Sequence, residues 1–303
     1  SVYPDSGTEI SQLMQAADLA MYKAKENGSN MFQFFTEKMQ QEALENIALE
    51  RKLRRAITNN EFTLMYQPKI DIKTDSIIGV EALIRWQKDR KNVLGPDVFI
   101  PALEELGLIE KVGEFVIKIA CQFSHDINLL NLTKPLKTAI NFSLKEIINP
   151  QITSMFECQL KQHGIPGENF EIEITETSMM HEPEQTIKHL HAFHSMGASI
   201  AIDDFGTGYS SLSHLSKLPL DVLKIDRSFC KEIGLNRNTE NIIKSTIALA
   251  HTLELKVVAE GVETEEQLAF LREMNCDIIQ GYYYSPPLHF DELVNFIEAQ
   301  QKR

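Results

Sequence analysis

The chain has 303 residues, 43% hydrophobic and 24% charged, with a formal net charge of −13 at pH 7. This is ordinary globular composition, and an acidic surface repels a long phosphate backbone, so duplex nucleic acid is excluded as a partner. No apolar run approaches the ~20 residues of a membrane span, and the N-terminus Ser1-Val2-Tyr3-Pro4 is no signal peptide.

The chain lacks an initiator Met, which suggests a piece of a longer protein. Four cysteines, Cys121, Cys158, Cys230 and Cys276, form no C-x-x-C pair, which argues for a reducing, cytoplasmic setting and against a zinc site. His189 and His191 sit two apart and face different ways on a helix, which reads as solvated side chains rather than metal ligands.

Ser11 to Lys25 has apolar residues at helical spacing, and Asn27-Gly28 stops the helix. A short strand is expected over Met31–Phe35. Residues 1–35 are too few to supply their own core. Thr36–Ile57 reads as one long helix with a charged outer face, a connector that transmits an orientation between domains; the connecting helix is placed at 36–57 and the main domain at about 50–300.

From Glu61 the pattern changes to short apolar runs separated by amphipathic stretches. The runs are Phe62–Tyr66, Ile77–Leu83, Leu136–Asn141, Phe170–Ile174, Ser199–Asp203, Val222–Ile225, Lys256–Ala259 and Ile278–Tyr282. Only a polar turn separates the first two, so they pair antiparallel. The others need helical crossovers. The expectation is a TIM-like (β/α)8 barrel of α/β class with one antiparallel strand, preceded by a short α/β fragment and the connecting helix.

Polar residues recur at the ends of these runs: Gln67, Glu81, Asn141, Glu173 and Glu176, Asp203 and Asp204, Lys224, Glu260 and Gln280. In a barrel these ends converge on one face. Carboxylates crowded to about 4 Å repel by about 4 kcal/mol per pair at an effective dielectric near 20, so they take up protons or bind cations. Oxygen ligands without His or Cys favour Mg2+ or Mn2+. Adjacent Asp203 and Asp204 can bridge two such ions, and a two-metal site suits phosphodiester hydrolysis. Asp204-Phe205-Gly206 spells a kinase motif, but no H-R-D or phosphate loop accompanies it. An enolising metal barrel with a Lys base stays as an alternative.

The chain from about Glu50 to Phe296 resembles the EAL domain, the cyclic di-GMP phosphodiesterase. Glu81-Ala82-Leu83 lies in E-A-L-I-R-W, among Y-Q-P-K-I-D, F-I-P, E-x-x-G-L-I, I-N-F-S, E-I-T-E-T-S, D-D-F-G-T-G-Y-S-S-L, L-K-I-D, A-E-G-V-E-T and Q-G-Y-Y-Y-S-P-P. The resemblance implies hydrolysis of cyclic di-GMP to linear pGpG with two Mg2+ or Mn2+ ions. Glu81, Asn141, Glu173 and Asp203 then resemble ligands of one metal, and Asp204 the main ligand of the second. Lys224 and Glu260 resemble the pair that orients and activates water. Gln67 and Arg85 resemble substrate contacts, Gln280 a residue at the site's edge, Glu263 a partner behind it and Glu176 the anchor of the loop after Asp204. A homodimer is implied as well. A non-hydrolytic receptor or scaffold for the nucleotide is the alternative.

Residues 1–35 resemble the last quarter of a GGDEF domain, in V-Y-P-D-S-G-T-E and L-M-Q-A-A-D-L-A-M-Y-K-A-K-E-N-G-S-N. The G-G-D-E-F motif itself is absent, so the resemblance implies that this chain does not make cyclic di-GMP. The intact protein is expected to carry the rest of that domain upstream, with any sensor or membrane segments.

Overall fold

Among the described residues, the alternation from Phe62 onward is realised as nine strands in one sheet. The computed structural model describes residues 1–26, 31–88, 90–130, 132, 135–176, 183–206 and 218–301. They fall into two units, Ser1–Glu61 with Asp97–Leu106, and Phe62–Pro96 with Gly107–Arg303.

In the first unit, α1 (Ile10–Glu26) buries Ala16, Ala20 and Ala24, a narrow small-residue stripe at spacing four. Helix α2 (Glu37–Thr58) starts at the N-cap Thr36, whose hydroxyl accepts from the Met39 amide at 3.4 Å. Its buried residues are Leu53 and Ala56. The expected strand at Met31–Phe35 is not formed. A lone strand needs a neighbour for its backbone groups, and Phe32 and Phe34 are 81% and 63% exposed. The expected stop at Asn27-Gly28 lies outside the described residues.

The second unit holds β1 (Phe62–Asp71), β2 (Ser76–Lys88), β3 (Lys91–Leu94), β4 (Lys137–Phe142), β5 (Phe170–Thr175), β6 (Ser199–Phe205), β7 (Val222–Ile225), β8 (Lys256–Ala259) and β9 (Ile278–Ile279). The strand order is β1-β9-β8-β7-β6-β5-β4-β2-β3, and β1 also pairs with β2. Eight strands thus close a ring, with β3 added outside it. Strand β1 runs antiparallel to both neighbours, from Phe62↔Trp86 to Asp71↔Ser76 on β2 and at Ile70↔Ile279 and Asp71↔Ile278 on β9. The other ring pairings are parallel. The Asp71 carboxylate closes the hairpin by accepting the amides of Lys73 and Thr74 at 3.0 and 2.8 Å.

Amphipathic helices follow the strands. Ile109–Asn128 turns Val112, Val116, Ile117, Ala120 and Cys121 inward. Phe156 of helix Ile152–His163 packs edge-on against Phe170 and Phe193 at 5.2 and 5.3 Å. His189 is buried, with Nδ1 at 2.5 Å from the Ile147 carbonyl and Nε2 at 3.0 Å from Gln185. The expectation of a solvated side chain therefore fails there, because the ring finds its polar partners inside. His191 is exposed.

Strand β9 is shorter than its apolar run predicts. A Cβ at Gly281 would run into the Val262 backbone. The chain crosses that backbone closely and leaves the sheet after Ile279.

Candidate functional site

Side chains two apart on a strand share a face. That rule stacks the barrel interior in two layers. Gly79, Ala139, Glu171, Ala201, Val222, Val258 and Ile278 lie in the lower one. Two residues on, Glu81, Asn141, Glu173, Asp203, Lys224, Glu260 and Gln280 form the upper. Ala201, Val222, Val258 and Ile278 pack together as an apolar plug with Ile78 against them. The upper layer lies toward the C-terminal ends of the parallel strands, where barrel chemistry sits. Strand β1 runs the other way, so Gln67 lies toward the mouth and Lys69 toward the floor; Gln67 pairs with Glu81 and Lys69 with Gly79.

Lys224 is fully buried, at 0% exposure. Its ammonium lies 2.6 Å from Glu173 Oε2, 2.9 Å from Asp203 Oδ2, 2.6 Å from Glu260 Oε1 and 3.7 Å from Glu81 Oε2. Burial alone would lower its pKa. The carboxylates of Glu173, Glu260, Glu81 and Asp203 outweigh that and hold it well above the ordinary lysine value. Glu81 is fixed by Asn141 Nδ2, which donates to Oε1 at 2.6 Å, and by Gln280 Nε2, which donates to Oε2 at 2.6 Å. Gln280 Nε2 also donates to Gln67 Oε1 at 2.9 Å.

Adjacent residues on a regular strand point to opposite faces, so Asp203 and Asp204 need a special backbone to share a site. The pairing of β6 with β7 slips between Ile202 and Phe205, and Asp204 takes a left-handed φ of 55°. Its amide donates to Asp203 Oδ1 at 2.8 Å. Gly206 follows at φ 94°, and its amide donates to Glu176 Oε2 at 3.0 Å. The rest of the predicted loop, Thr207 to Leu212 with Gly208 and Ser210-Ser211, lies outside the described residues, as do Thr177 and Ser178.

Glu81, Glu173 and Asp203 each offer an oxygen, and these atoms lie within 4.8 Å of one another. With Asp204, Glu171 and Glu260 nearby, the carboxyl groups outnumber the ammonium groups of Lys69 and Lys224. Burial pushes Asp204 up to about 6, with Asp203 and Asp226 adding to it. Burial also pushes Glu260 up to about 8, with Asp203 and Glu81 adding and Lys224 opposing. Such a group can hold a divalent cation, and an all-oxygen donor set suits a hard one.

Both carboxyls keep their protons to higher pH in the folded than in the unfolded protein, where they titrate near 3.8 and 4.5. The stability they contribute is therefore full below the unfolded values and is lost as pH rises through about 6 and then about 8. The melting temperature of EDTA-treated protein should fall by several degrees between mildly acidic and mildly alkaline buffer. Mg2+ or Mn2+ should restore it most at the alkaline end. Scanning calorimetry decides; a flat profile indifferent to metal would show that the carboxylates do not crowd.

The structure brings together Gln67, Glu81, Asn141, Glu173, Asp203, Lys224, Glu260 and Gln280, with Asp204 beside them. Arg85 follows on the same face of β2 and is half-buried, its Nη1 donating to the Ile84 carbonyl at 2.9 Å. Burial lowers its pKa. Glu263 is exposed, and its backbone amide donates to Gln267 Oε1 at 2.7 Å. It does not join the cluster. Sequence reasoning passed over Lys69 and Glu171. Lys69, 4% exposed, donates to Glu171 Oε1 at 2.6 Å and Glu173 Oε1 at 2.5 Å. Burial would lower its pKa, but the two carboxylates raise it. Spacing could have found both, since Lys69 is two from Gln67 and Glu171 two from Glu173.

The EAL domain family matches residues 50–287. The chain is 38% identical over 299 residues to the cyclic di-GMP phosphodiesterase NbdA of Pseudomonas aeruginosa, covering 99% of this chain and 38% of that protein. It is 36% identical over 294 residues to the bifunctional diguanylate cyclase/cyclic di-GMP phosphodiesterase MucR of the same organism, covering 97% and 43%. It thus spans about two fifths of the length of these relatives. The solved PaMucR phosphodiesterase in complex with c-di-GMP superposes with a TM-score of 0.77 at 35% identity, over 81% of this chain and 99% of that one. The EAL enzyme Bd1971, in its cAMP- and cyclic-di-GMP-bound form, gives 0.81 at 30%, over 96% and 77%. The fold, the ordered strand ends and these matches agree: the chain belongs to the EAL domain family.

Proposed function

We propose that this chain hydrolyses cyclic di-GMP to linear pGpG, using two divalent cations, Mg2+ or Mn2+. The observation that carries the reading is the convergence of Glu81, Glu173 and Asp203, with oxygens within 4.8 Å of one another and the Lys224 ammonium set among them. Solved relatives carry c-di-GMP in their complexes.

Glu81, Asn141, Glu173 and Asp203 would hold one cation and Asp203 with Asp204 the second. Bound there, such a pair lowers the pKa of water and screens charge at phosphorus. The side chains supply the rest. Gln67, Arg85 and Gln280 hold the nucleotide, with the Arg85 guanidinium against a phosphate. Water adds to one phosphorus, the bond to the 3′ oxygen breaks, and the other diester stays intact. Glu260 and Lys224, 2.6 Å apart, orient the water and move its proton; the leaving 3′ oxygen takes up a proton. Glu176 holds Gly206, and with it the start of the loop after Asp204. Residues 1–35 are read as the end of a GGDEF-like domain, supported by matches that extend over 97–99% of the chain. We take the working form to be a homodimer. No described helix is long and apolar enough to cross a membrane.

Incubation with cyclic di-GMP and Mn2+, followed by chromatography, should yield pGpG in equal amount to the nucleotide consumed. Binding without product under both Mg2+ and Mn2+ would make the chain a receptor. Neither binding nor product would end the proposal.

A further inference from the structure

The two oxygens of Glu173 face different lysines. Oε2 faces the Lys224 ammonium at 2.6 Å, in the upper layer with Glu81 and Asp203. Oε1 accepts from Lys69 at 2.5 Å. Lys69 does not reach up freely. Its ammonium is tied by Glu171 Oε1 at 2.6 Å, and Glu171 lies one layer below Glu173 on the same strand. Lys69 and Glu171 are 4% and 6% exposed and Glu173 is 0% exposed, so no bulk water competes for these bonds.

We propose that Lys69 is a positioning residue that sets metal selectivity, by holding back one oxygen of Glu173. With Oε1 committed to an ammonium, Glu173 presents Oε2 alone to the mouth. It is then a one-oxygen ligand. Mg2+ requires this geometry. Adjacent corners of an octahedron with ~2.1 Å bonds lie about 3 Å apart, wider than the two oxygens of one carboxylate reach. Ca2+ accepts six to eight ligands at roughly 2.3–2.6 Å and takes carboxylates by both oxygens. A freed Oε1 would add a ligand that only the larger ion can use. Lys69 therefore acts against Ca2+ from beneath the site, at a position that no reacting atom touches.

The inference rests on the reading of Glu173 as a metal ligand. Its test is calorimetric titration of the chelator-treated 303-residue chain with MgCl2, MnCl2 and CaCl2. Four forms are compared: wild type, Lys69→Met, Lys69→Met/Glu171→Leu and Glu171→Gln. The double variant removes both charges together, which a buried site tolerates better than an orphaned carboxylate. It keeps the test open where the single variant fails to fold. The ratio of Ca2+ to Mg2+ affinity should rise by about tenfold or more in either folded Lys69 variant, the scale on which partners behind a ligand act. Glu171→Gln, which leaves Lys69 on Glu173, should keep the wild-type ratio. A loosened fold would weaken all three ions together and leave the ratio alone. An unchanged ratio in a folded Lys69 variant overturns the proposal. Wild-type protein that binds none of the three ions overturns the metal reading itself, and this inference with it.

Discussion

Lys224→Met is expected to be the most damaging single substitution in the protein. The residue is fully buried, and its ammonium lies within 2.9 Å of Glu173, Asp203 and Glu260. Methionine fills much the same volume but leaves those carboxylates without their cation. Removing one partner of a buried ion cluster costs about 3–5 kcal/mol. Urea unfolding in EDTA should show that loss. Added Mg2+ should raise the midpoint more in the variant than in the wild type, because the cation then neutralises what the lysine no longer does. Product formation should fall by about 10²–10⁴ in kcat, the range of a lost proton-handling group, with KM little changed. A variant that unfolds at the wild-type midpoint in EDTA would mean that the ammonium is not the counterion of this cluster.

Asp203→Asn is expected to separate chemistry from stability in the opposite sense. Asp203 accepts from Lys224 on one oxygen and from the Asp204 amide on the other. Asparagine keeps the shape and one acceptor, but loses the charge that bridges both cations in the proposed function. Turnover should fall well beyond about 100-fold, the upper end for losing a partner behind a ligand. The metal-free protein should be no less stable than wild type, since one charge leaves a crowded group. Mg2+ should then raise its melting temperature less than it does for wild type. Turnover within tenfold of wild type would remove Asp203 from the metal site. The two variants together test whether carboxylate excess governs this mouth: one removes its positive charge, the other one of its negative charges.

Much of this was legible in the chain because buried parallel strands leave short apolar runs between amphipathic helical stretches. Such runs, ending on a polar residue, predicted the ring strands and placed Gln67, Glu81, Asn141, Glu173, Asp203, Lys224, Glu260 and Gln280 on one rim. Where pairing depends on neighbours, the pattern failed. Lys91–Leu94 is a four-residue edge strand beside the end of β2, with two polar residues and no alternation to read. Met31–Phe35 had the composition of a strand but no partner among the described residues. Tyr282 belonged to an apolar run that a close backbone crossing at Gly281 cut short. Asp204 was read as a metal ligand from its neighbour. The slipped pairing and left-handed backbone that set it beside Asp203 are three-dimensional facts with no periodic trace. Lys69 and Glu171 were visible in spacing and passed over, because a lysine one layer down appears as ordinary strand polarity until its partner is seen.

The antiparallel strand at the seam carries a consequence for how the protein comes to exist. Strand β1 meets β9 through only two residue pairs, while it meets β2 through ten. Near the mouth, the Tyr66 amide donates to Leu288 and the Leu288 amide to Tyr66, at 2.8 and 2.9 Å. Gln280 reaches Gln67 and Glu81 across sequence separations of 213 and 199 residues. Contacts this distant in the chain are the slowest to form. During synthesis the first strand of the ring waits, one side unpaired, until Ile278 and Ile279 have emerged. Of the two amides that fix Glu81, the one from Gln280 arrives only with the last strand. No partly built ring can therefore present the finished cluster of strand-end side chains, which is complete only when the last strand closes the ring.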